Sequence, residues 1–270
     1  MAEEPIFFAG PEHEPFTLGE GATGALLIHG FPGTPAELRP LGERLATNGF
    51  VASGMLLPGF GPDIARLGEM TRATWLDATS RAWAEVRAAH EKAVLIGYSM
   101  GGALALRLAA EAPPAALVLL APFWRLEGWQ FKLLPVLKHI TRPFAPFQKA
   151  DFNDPAVRAQ LGGLAPDLDL GDPATQQFLR EQVRLPLGVL DEVRRLGLEA
   201  YDVAPKVDTP TLILQGSRDT TVTAANTRQL AARLPGPTDY REVPGNHDFV
   251  RLTGGYDFTP DVVAFLARGQ

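Results

Sequence analysis

The chain has 270 residues, 46% of them hydrophobic and 21% charged, enough to bury a full core in one large domain or one domain with an insertion. A net charge of −6 leaves no basic surface to neutralise phosphates, which argues against a nucleic-acid partner, and no apolar run approaches the ~20 residues that span a bilayer. Cysteine is absent, which excludes disulfides, thiolate metal sites and a cysteine nucleophile.

Along the chain, short apolar runs alternate with helical patterns. Strands are expected at 25–29, 50–56, 93–98, 116–120, 211–215 and 239–243, most of them continuous apolar runs suited to burial on both faces. A further antiparallel pair is expected at the edge from 6–9 and 15–18. Helices are predicted over 35–48, with Pro35 near the start and Gly49 just past the end, and over 71–90, where Trp75, Ala78, Ala82, Trp83, Val86 and Ala89 share one face. Three more are predicted over 99–111, 221–234 and 259–267. This alternation predicts an α/β fold with a mostly parallel central sheet and helices on both faces. Residues 124–208 break the rhythm. They are too long for a loop and hold helical patterns of their own at 130–141 and, interrupted at Pro186, at 175–196. The expected division is therefore a core of 1–123 and 209–270 with a helical cap insertion of 124–208.

One motif carries the chemistry. Gly97-Tyr98-Ser99-Met100-Gly101-Gly102 follows the apolar run Ala93-Val94-Leu95-Ile96 and opens a helix rich in alanine and leucine. A serine with glycine two residues before and two after it, between strand and helix, reads as a nucleophile elbow: the turn is so sharp that larger flanking side chains clash. With four serines and 27 glycines, chance flanking arises in roughly 4% of such chains, so the strand-then-helix context is what makes the signal strong.

A serine hydroxyl needs a base, and the base an orienting acid. Of five histidines, His247 lies in Pro244-Gly245-Asn246-His247-Asp248, directly after the last predicted strand. His13 belongs to the polar N-terminal segment, His90 ends a helix, His139 falls in the insertion, and His29 is expected to brace the loop after the first core strand. The acid is expected at Asp219, which follows the strand 211–215 through Gly216-Ser217-Arg218; its competing role is a helix N-cap. Asp202, Asp208 and Asp248 are the alternatives. For an oxyanion, Met100 N–H follows the nucleophile, and a second donor is expected from Gly30-Phe31-Pro32-Gly33-Thr34-Pro35. Prolines have no N–H, so Phe31 leads and Gly33 is the runner-up. The order Ser99, Asp219, His247 follows.

On His29-Gly30-Phe31-Pro32-Gly33-Thr34, Leu57-Pro58-Gly59-Phe60-Gly61, Gly97 to Gly102, Gly216 to Asp219 and His247, the chain resembles the α/β-hydrolase superfamily, and within it bacterial carboxylesterases and monoacylglycerol lipases. The resemblance spans the core on both sides of the insertion. It implies a Ser-His-Asp acyl-enzyme mechanism without a cofactor, an oxyanion hole at Phe31 and Met100, and a helical cap between the sixth and seventh core strands. Two departures stand out. Phe60 occupies a place where such enzymes often have histidine, and Asn246 separates Gly245 from His247.

From Phe123 at the core's edge into the insertion, the chain carries Phe123, Trp124, Trp129, Phe131, Phe144 and Phe147 among Arg125, Lys132, Lys138, Arg142 and Lys149. Phe60, Phe123, Trp124 and Trp129 are the expected substrate-pocket residues. Asp151, Asp154, Asp167, Asp169 and Asp172 lack ligand-like spacing, so no metal is expected. The expected activity is hydrolysis of small to medium acyl esters. A C–C bond hydrolase, a perhydrolase, an aminopeptidase and a non-catalytic ligand-binding protein stay open as rivals. The acidic start Met1-Ala2-Glu3-Glu4-Pro5 lacks the features of a secretion signal, so a cytoplasmic location is expected.

Overall fold

The computed structural model describes residues 10–125, 147–154, 169–252 and 256–268, together with 135, 143, 145, 157, 158 and 161. Seven strands form one sheet: β1 (Phe16–Leu18), β2 (Thr23–Ile28), β3 (Phe50–Met55), β4 (Lys92–Tyr98), β5 (Ala116–Leu120), β6 (Thr211–Gly216) and β7 (Thr238–Val243). Their order is β1-β3-β2-β4-β5-β6-β7, with β1 antiparallel to β3 and every other pairing parallel. Of the expected edge pair, 16–18 forms the edge strand β1 and pairs with β3, while 6–9 lies outside the described residues. Phe16 explains the choice, since its ring fills the space left by the missing side chains of Gly42 and Gly54.

Side chains alternate across a strand, and that period of two divides the core. Leu26, Ile28, Leu95, Leu117, Leu119 and Ile213 face one layer, which holds α2 (Arg72–Ala89), α3 (Met100–Glu111) and α5 (Leu187–Val203). Ala25, Leu27, Val94, Ile96, Val118, Leu120, Leu212 and Leu214 face the other, with α1 (Arg39–Ala46) and α7 (Thr259–Ala267). Strands buried on both faces need the continuous apolar runs seen in the sequence. Each fully buried leucine contributes roughly 2 kcal/mol of transfer free energy, so these two layers dominate the stability of the fold.

Helix ends follow local chemistry. Thr71 caps α2 by accepting the Thr74 N–H, and α7 matches its predicted span. The prediction over 35–48 resolves into a 3-10 turn, Pro35–Glu37, followed by α1. That over 221–234 shortens to α6 (Ala224–Ala231), because Thr223, and not Asp219, accepts the first capping N–H.

Within the insertion, the interrupted pattern becomes α4 (Pro173–Gln182), capped by Asp172, and α5, entered at Pro186. α5 buries Val189, Val193, Leu196 and Ala200 in the same cluster as α3, so this part packs as a core helix. Phe152, Leu161, Leu170 and Leu179 form a separate small cluster with Phe147 and Val183 against it. The predicted helix over 130–141 lies outside the described residues. Among the described residues, no helix is long and apolar enough to cross a membrane.

Candidate active site

The carboxyl ends of β4, β6 and β7 bring the three predicted residues together. Ser99 stands between β4 and α3 at φ 51°, ψ −115°, a conformation that costs an L-residue about 1–3 kcal/mol. Its surroundings impose this geometry. A Cβ at Gly97 would overlap the Gly101 carbonyl, and one at Gly101 would overlap the carbonyl oxygens of Ile28 and His29 on the neighbouring strand. The Ser99 N–H donates to Leu120 O at 2.9 Å, and Ser99 O accepts from Gly102 N and Phe123 N, locking the turn between two strand ends and the helix.

His247 opens the 3-10 turn His247–Arg251 after β7. Its Nε2 lies 3.0 Å from Ser99 Oγ, and its Nδ1 lies 2.7 Å from Asp219 Oδ2. A carboxylate only accepts, so the proton sits on Nδ1 and leaves Nε2 as acceptor for the serine hydroxyl. Asp219 is held from both sides. Its Oδ1 accepts the N–H groups of Thr221 and Val222, each at 2.8 Å, and its Oδ2 also accepts Gln215 Nε2 at 3.0 Å. The turn-capping role and the His-facing role thus belong to different oxygens of one carboxylate. Close approach of the two loops needs Gly216, where a Cβ would overlap Asn246 O, and is tied by Ser217 N to Val243 O and Arg218 N to Gly245 O. Of the alternatives, Asp248 lies with its Oδ1 3.9 Å from Arg251 Nε.

The loop after β2 spends most of its donors internally. Gly30 N–H goes to Glu37 Oε2 at 3.0 Å, Gly33 N–H goes to Gly30 O at 3.0 Å, and Pro32 has none. This commits the Gly33 N–H, whereas the Phe31 N–H has no partner among the described residues, and Phe31 lines the cavity above Ser99. Met100 lines the same cavity and is the first residue of α3, where the backbone N–H has no intrahelical partner and the helix dipole favours negative charge. His29 is a brace: its Nδ1 donates to Gly30 O at 2.8 Å and its Nε2 accepts Leu57 N–H at 3.1 Å. Complete burial lowers its pKa to about 4, so it stays neutral. His13 is also buried, with its Nδ1 2.7 Å from Thr34 Oγ1.

A cavity of about 320 Å³ opens over these groups, its lining combining the apolar Phe31, Met100, Phe123 and Val193 with the polar Thr220, Thr221, Asn246 and Arg251. Phe123 lines this cavity, and Phe60 and Trp124 are not among its lining residues. Phe60 is fully buried behind Phe31, edge-on to it at 5.7 Å and to His29 at 5.3 Å. Trp124 stacks on Tyr201 at 4.1 Å and donates its indole N–H to Asn226 O. Trp129 lies outside the described residues. The sequence reading missed Glu37, Tyr98, Gln215 and Arg251. Tyr98 packs its ring 5.3 Å from that of His247 and donates its hydroxyl to His247 O at 3.2 Å; burial pushes its phenol well above the ordinary range. Its place between Gly97 and Ser99 was the available signal. Among the described residues, no three His, Asp or Glu side chains are grouped to hold a metal.

A mostly parallel sheet of this order, with a strained serine at a strand-to-helix turn facing a histidine, defines an α/β-hydrolase. The chain belongs to the serine aminopeptidase S33 family, whose sequence profile matches residues 23–243. It is 34% identical over 113 residues to a thermostable monoacylglycerol lipase of Bacillus sp. (strain H-257), a match spanning 42% of this chain and 44% of the lipase, less than half of either. It is 21% identical over 207 residues to a carboxylesterase of Bacillus subtilis (strain 168), 76% of each chain. The crystal structure of the Paleococcus ferrophilus monoacylglycerol lipase superposes with a TM-score of 0.70 at 19% identity, covering 95% of this chain and 98% of that one, which is a likeness of fold.

Proposed function

We propose that the protein is a serine carboxylic-ester hydrolase in which Ser99, His247 and Asp219 act as a catalytic triad. The observation that carries this reading is the continuous relay from Ser99 Oγ to His247 Nε2 at 3.0 Å and from His247 Nδ1 to Asp219 Oδ2 at 2.7 Å. Ser99 Oγ attacks the ester carbonyl carbon as His247 Nε2 takes its proton. Phe31 and Met100 N–H groups receive the charge on the carbonyl oxygen. His247 returns the proton to the departing alcohol, leaving an acyl-serine, and then deprotonates the water that releases the acid. Protein groups supply every proton transfer.

Among the cavity-lining residues, the apolar Phe31, Met100, Phe123 and Val193 suit a small or medium acyl chain, and Thr220, Thr221 and Asn246 offer polar groups to an alcohol. Names of the two Bacillus relatives, a monoacylglycerol lipase and a carboxylesterase, support the same substrate class. Glu37 and Asp248 both face Arg251, which favours an ester over a peptide with a free ammonium group. In this reading residues 124–208 form a cap, whose described part joins the core through α5 and holds a separate cluster around Phe152. The location is cytoplasmic and the partner a small molecule, with nucleic acid disfavoured by the charge of −6.

Labelling with a fluorophosphonate, followed by mass spectrometry, is expected to place one adduct on Ser99. Rates across a p-nitrophenyl ester series are expected to peak at short to medium chains. Ser99→Ala is expected to lower kcat about 10⁶-fold while the fold persists. Near-normal turnover in that variant, or labelling elsewhere, refutes the assignment.

A further inference from the structure

Two charged side chains with no part in the proton transfer meet beside it. Glu37 ends the turn that follows the Phe31 loop, and Arg251 ends the turn that begins with His247. Glu37 Oε2 accepts the Gly30 N–H at 3.0 Å, and Glu37 Oε1 accepts Arg251 Nη2 at 2.7 Å. Both side chains are largely buried, at 6% and 13% exposure, on the cavity wall. Burial pushes the Glu37 carboxyl up, and the Arg251 guanidinium opposes that shift. Asp248 flanks the pair, its Oδ1 3.9 Å from Arg251 Nε.

Fold stability alone gives weak reason for such a pair, because desolvating both partners offsets most of their attraction and apolar replacements are often as stable. Space has nonetheless been cleared for it: a Cβ at Gly33 would overlap the Glu37 carboxylate. One oxygen of that carboxylate is thus tied to the backbone one residue before the Phe31 N–H. The other is tied to the turn that carries His247.

We propose that Glu37 and Arg251 form a strut setting the separation between the Phe31 N–H and the His247 ring, and are positioning residues for acyl transfer. This rests on the ester-hydrolase reading above. An oxyanion donor works only near 2.7–3.1 Å from the developing charge, and a misplacement of about 1 Å costs on the order of 10²-fold in rate. The strut therefore acts on the transition state and falls on kcat, with little effect on KM.

The test uses the full chain and p-nitrophenyl butyrate, with Glu37→Gln, Arg251→Met, Arg251→Lys and the double variant Glu37→Gln/Arg251→Met. Glu37→Gln keeps an oxygen for Gly30 N–H and removes the charge that holds Arg251. Each of Glu37→Gln and Arg251→Met is expected to lower kcat about 10- to 100-fold with KM within about threefold of the parent. The double variant is expected to be no slower than the worse single, since a strut cut at one end is already cut, and Arg251→Lys recovers part of the loss. Folded single variants with kcat within about twofold of the parent overturn the strut, as do losses that multiply in the double variant or fall on KM alone. If Glu37→Gln does not fold, Arg251→Met against Arg251→Lys makes the same comparison. A parent chain that neither hydrolyses the ester nor labels at Ser99 overturns the underlying reading and the strut with it. An active parent with unaffected variants overturns the strut alone.

Discussion

Asp219→Asn exchanges one oxygen for an amide group at a position where both oxygens are committed. Oδ1 accepts two backbone N–H groups, from Thr221 and Val222, and Oδ2 accepts Gln215 Nε2 and faces His247 Nδ1. If the amide nitrogen replaced Oδ1, the buried Val222 N–H and the part-buried Thr221 N–H would both lose their acceptor, at about 1–3 kcal/mol for the buried one. If it replaces Oδ2, only Gln215 Nε2 loses a bond, and that group still donates to Val222 O at 2.8 Å and Gly216 O at 3.2 Å. The second orientation therefore wins. It points a donor at His247 Nδ1, which must then accept, so the ring proton moves to Nε2 and Ser99 faces a donor in place of a base. Turnover is expected to fall about 10⁴-fold, or roughly 5 kcal/mol in the barrier, with KM little changed. Initial rates on p-nitrophenyl butyrate between pH 6 and 9, with a thermal melt of each protein, provide the assay. A folded variant with kcat within tenfold of the parent would refute the argument, because the orienting role would then belong to another group.

The glycines and His29 carry further expectations. Gly101→Ala drives a methyl group into the carbonyl oxygens of Ile28 and His29, backbone that cannot turn aside, and is expected to cost about 3 kcal/mol in urea unfolding. Gly49→Ala, at φ 81° but facing open space, is expected to cost only about 1 kcal/mol; equal losses at the two sites would refute the steric reading. His29, with a pKa of about 4 in the folded chain, takes up its proton more readily when unfolded, where the ordinary value of 6.5 applies. Its contribution is complete above about pH 6.5 and is lost as pH falls toward 4, by roughly 3 kcal/mol. Urea midpoints for the parent and His29→Gln at pH 7, 5.5 and 4 test this: the variant is expected to show the shallower decline, and parallel slopes would refute it.

Much of the site was legible because its residues obey local rules. Ser99 was found through Gly97 and Gly101, whose side chains would strike backbone, and His247 through its place directly after a strand end. Asp219 was found because it follows β6 through a short turn, although its shared duty as a turn cap became visible only with both oxygens resolved onto different partners. Phe31 already led Gly33 in the sequence because its proline neighbours lack an N–H; the hydrogen bond from Gly33 N to Gly30 O, which no composition or spacing announces, adds a second reason. Aromatic residues were the weakest guide. Phe60 and Trp124 are as apolar as Phe123, yet one sits behind Phe31 and the other against Tyr201, since an aromatic side chain serves a core as readily as a pocket.

Period and turn chemistry are properties of neighbouring residues, so the chain alone specified the alternating strands and helices, the parallel sheet and the strained serine turn. Contacts between distant segments are not. The pairing of β1 with β3, the docking of α5 against α3, and the meeting of Glu37 with Arg251 each join residues whose proximity depends on how the layers close. A glutamate after a loop and an arginine after a turn look like ordinary surface charges in a sequence. Only the folded chain desolvates them together beside Ser99, because burial is decided by everything packed around a side chain and not by the residues next to it.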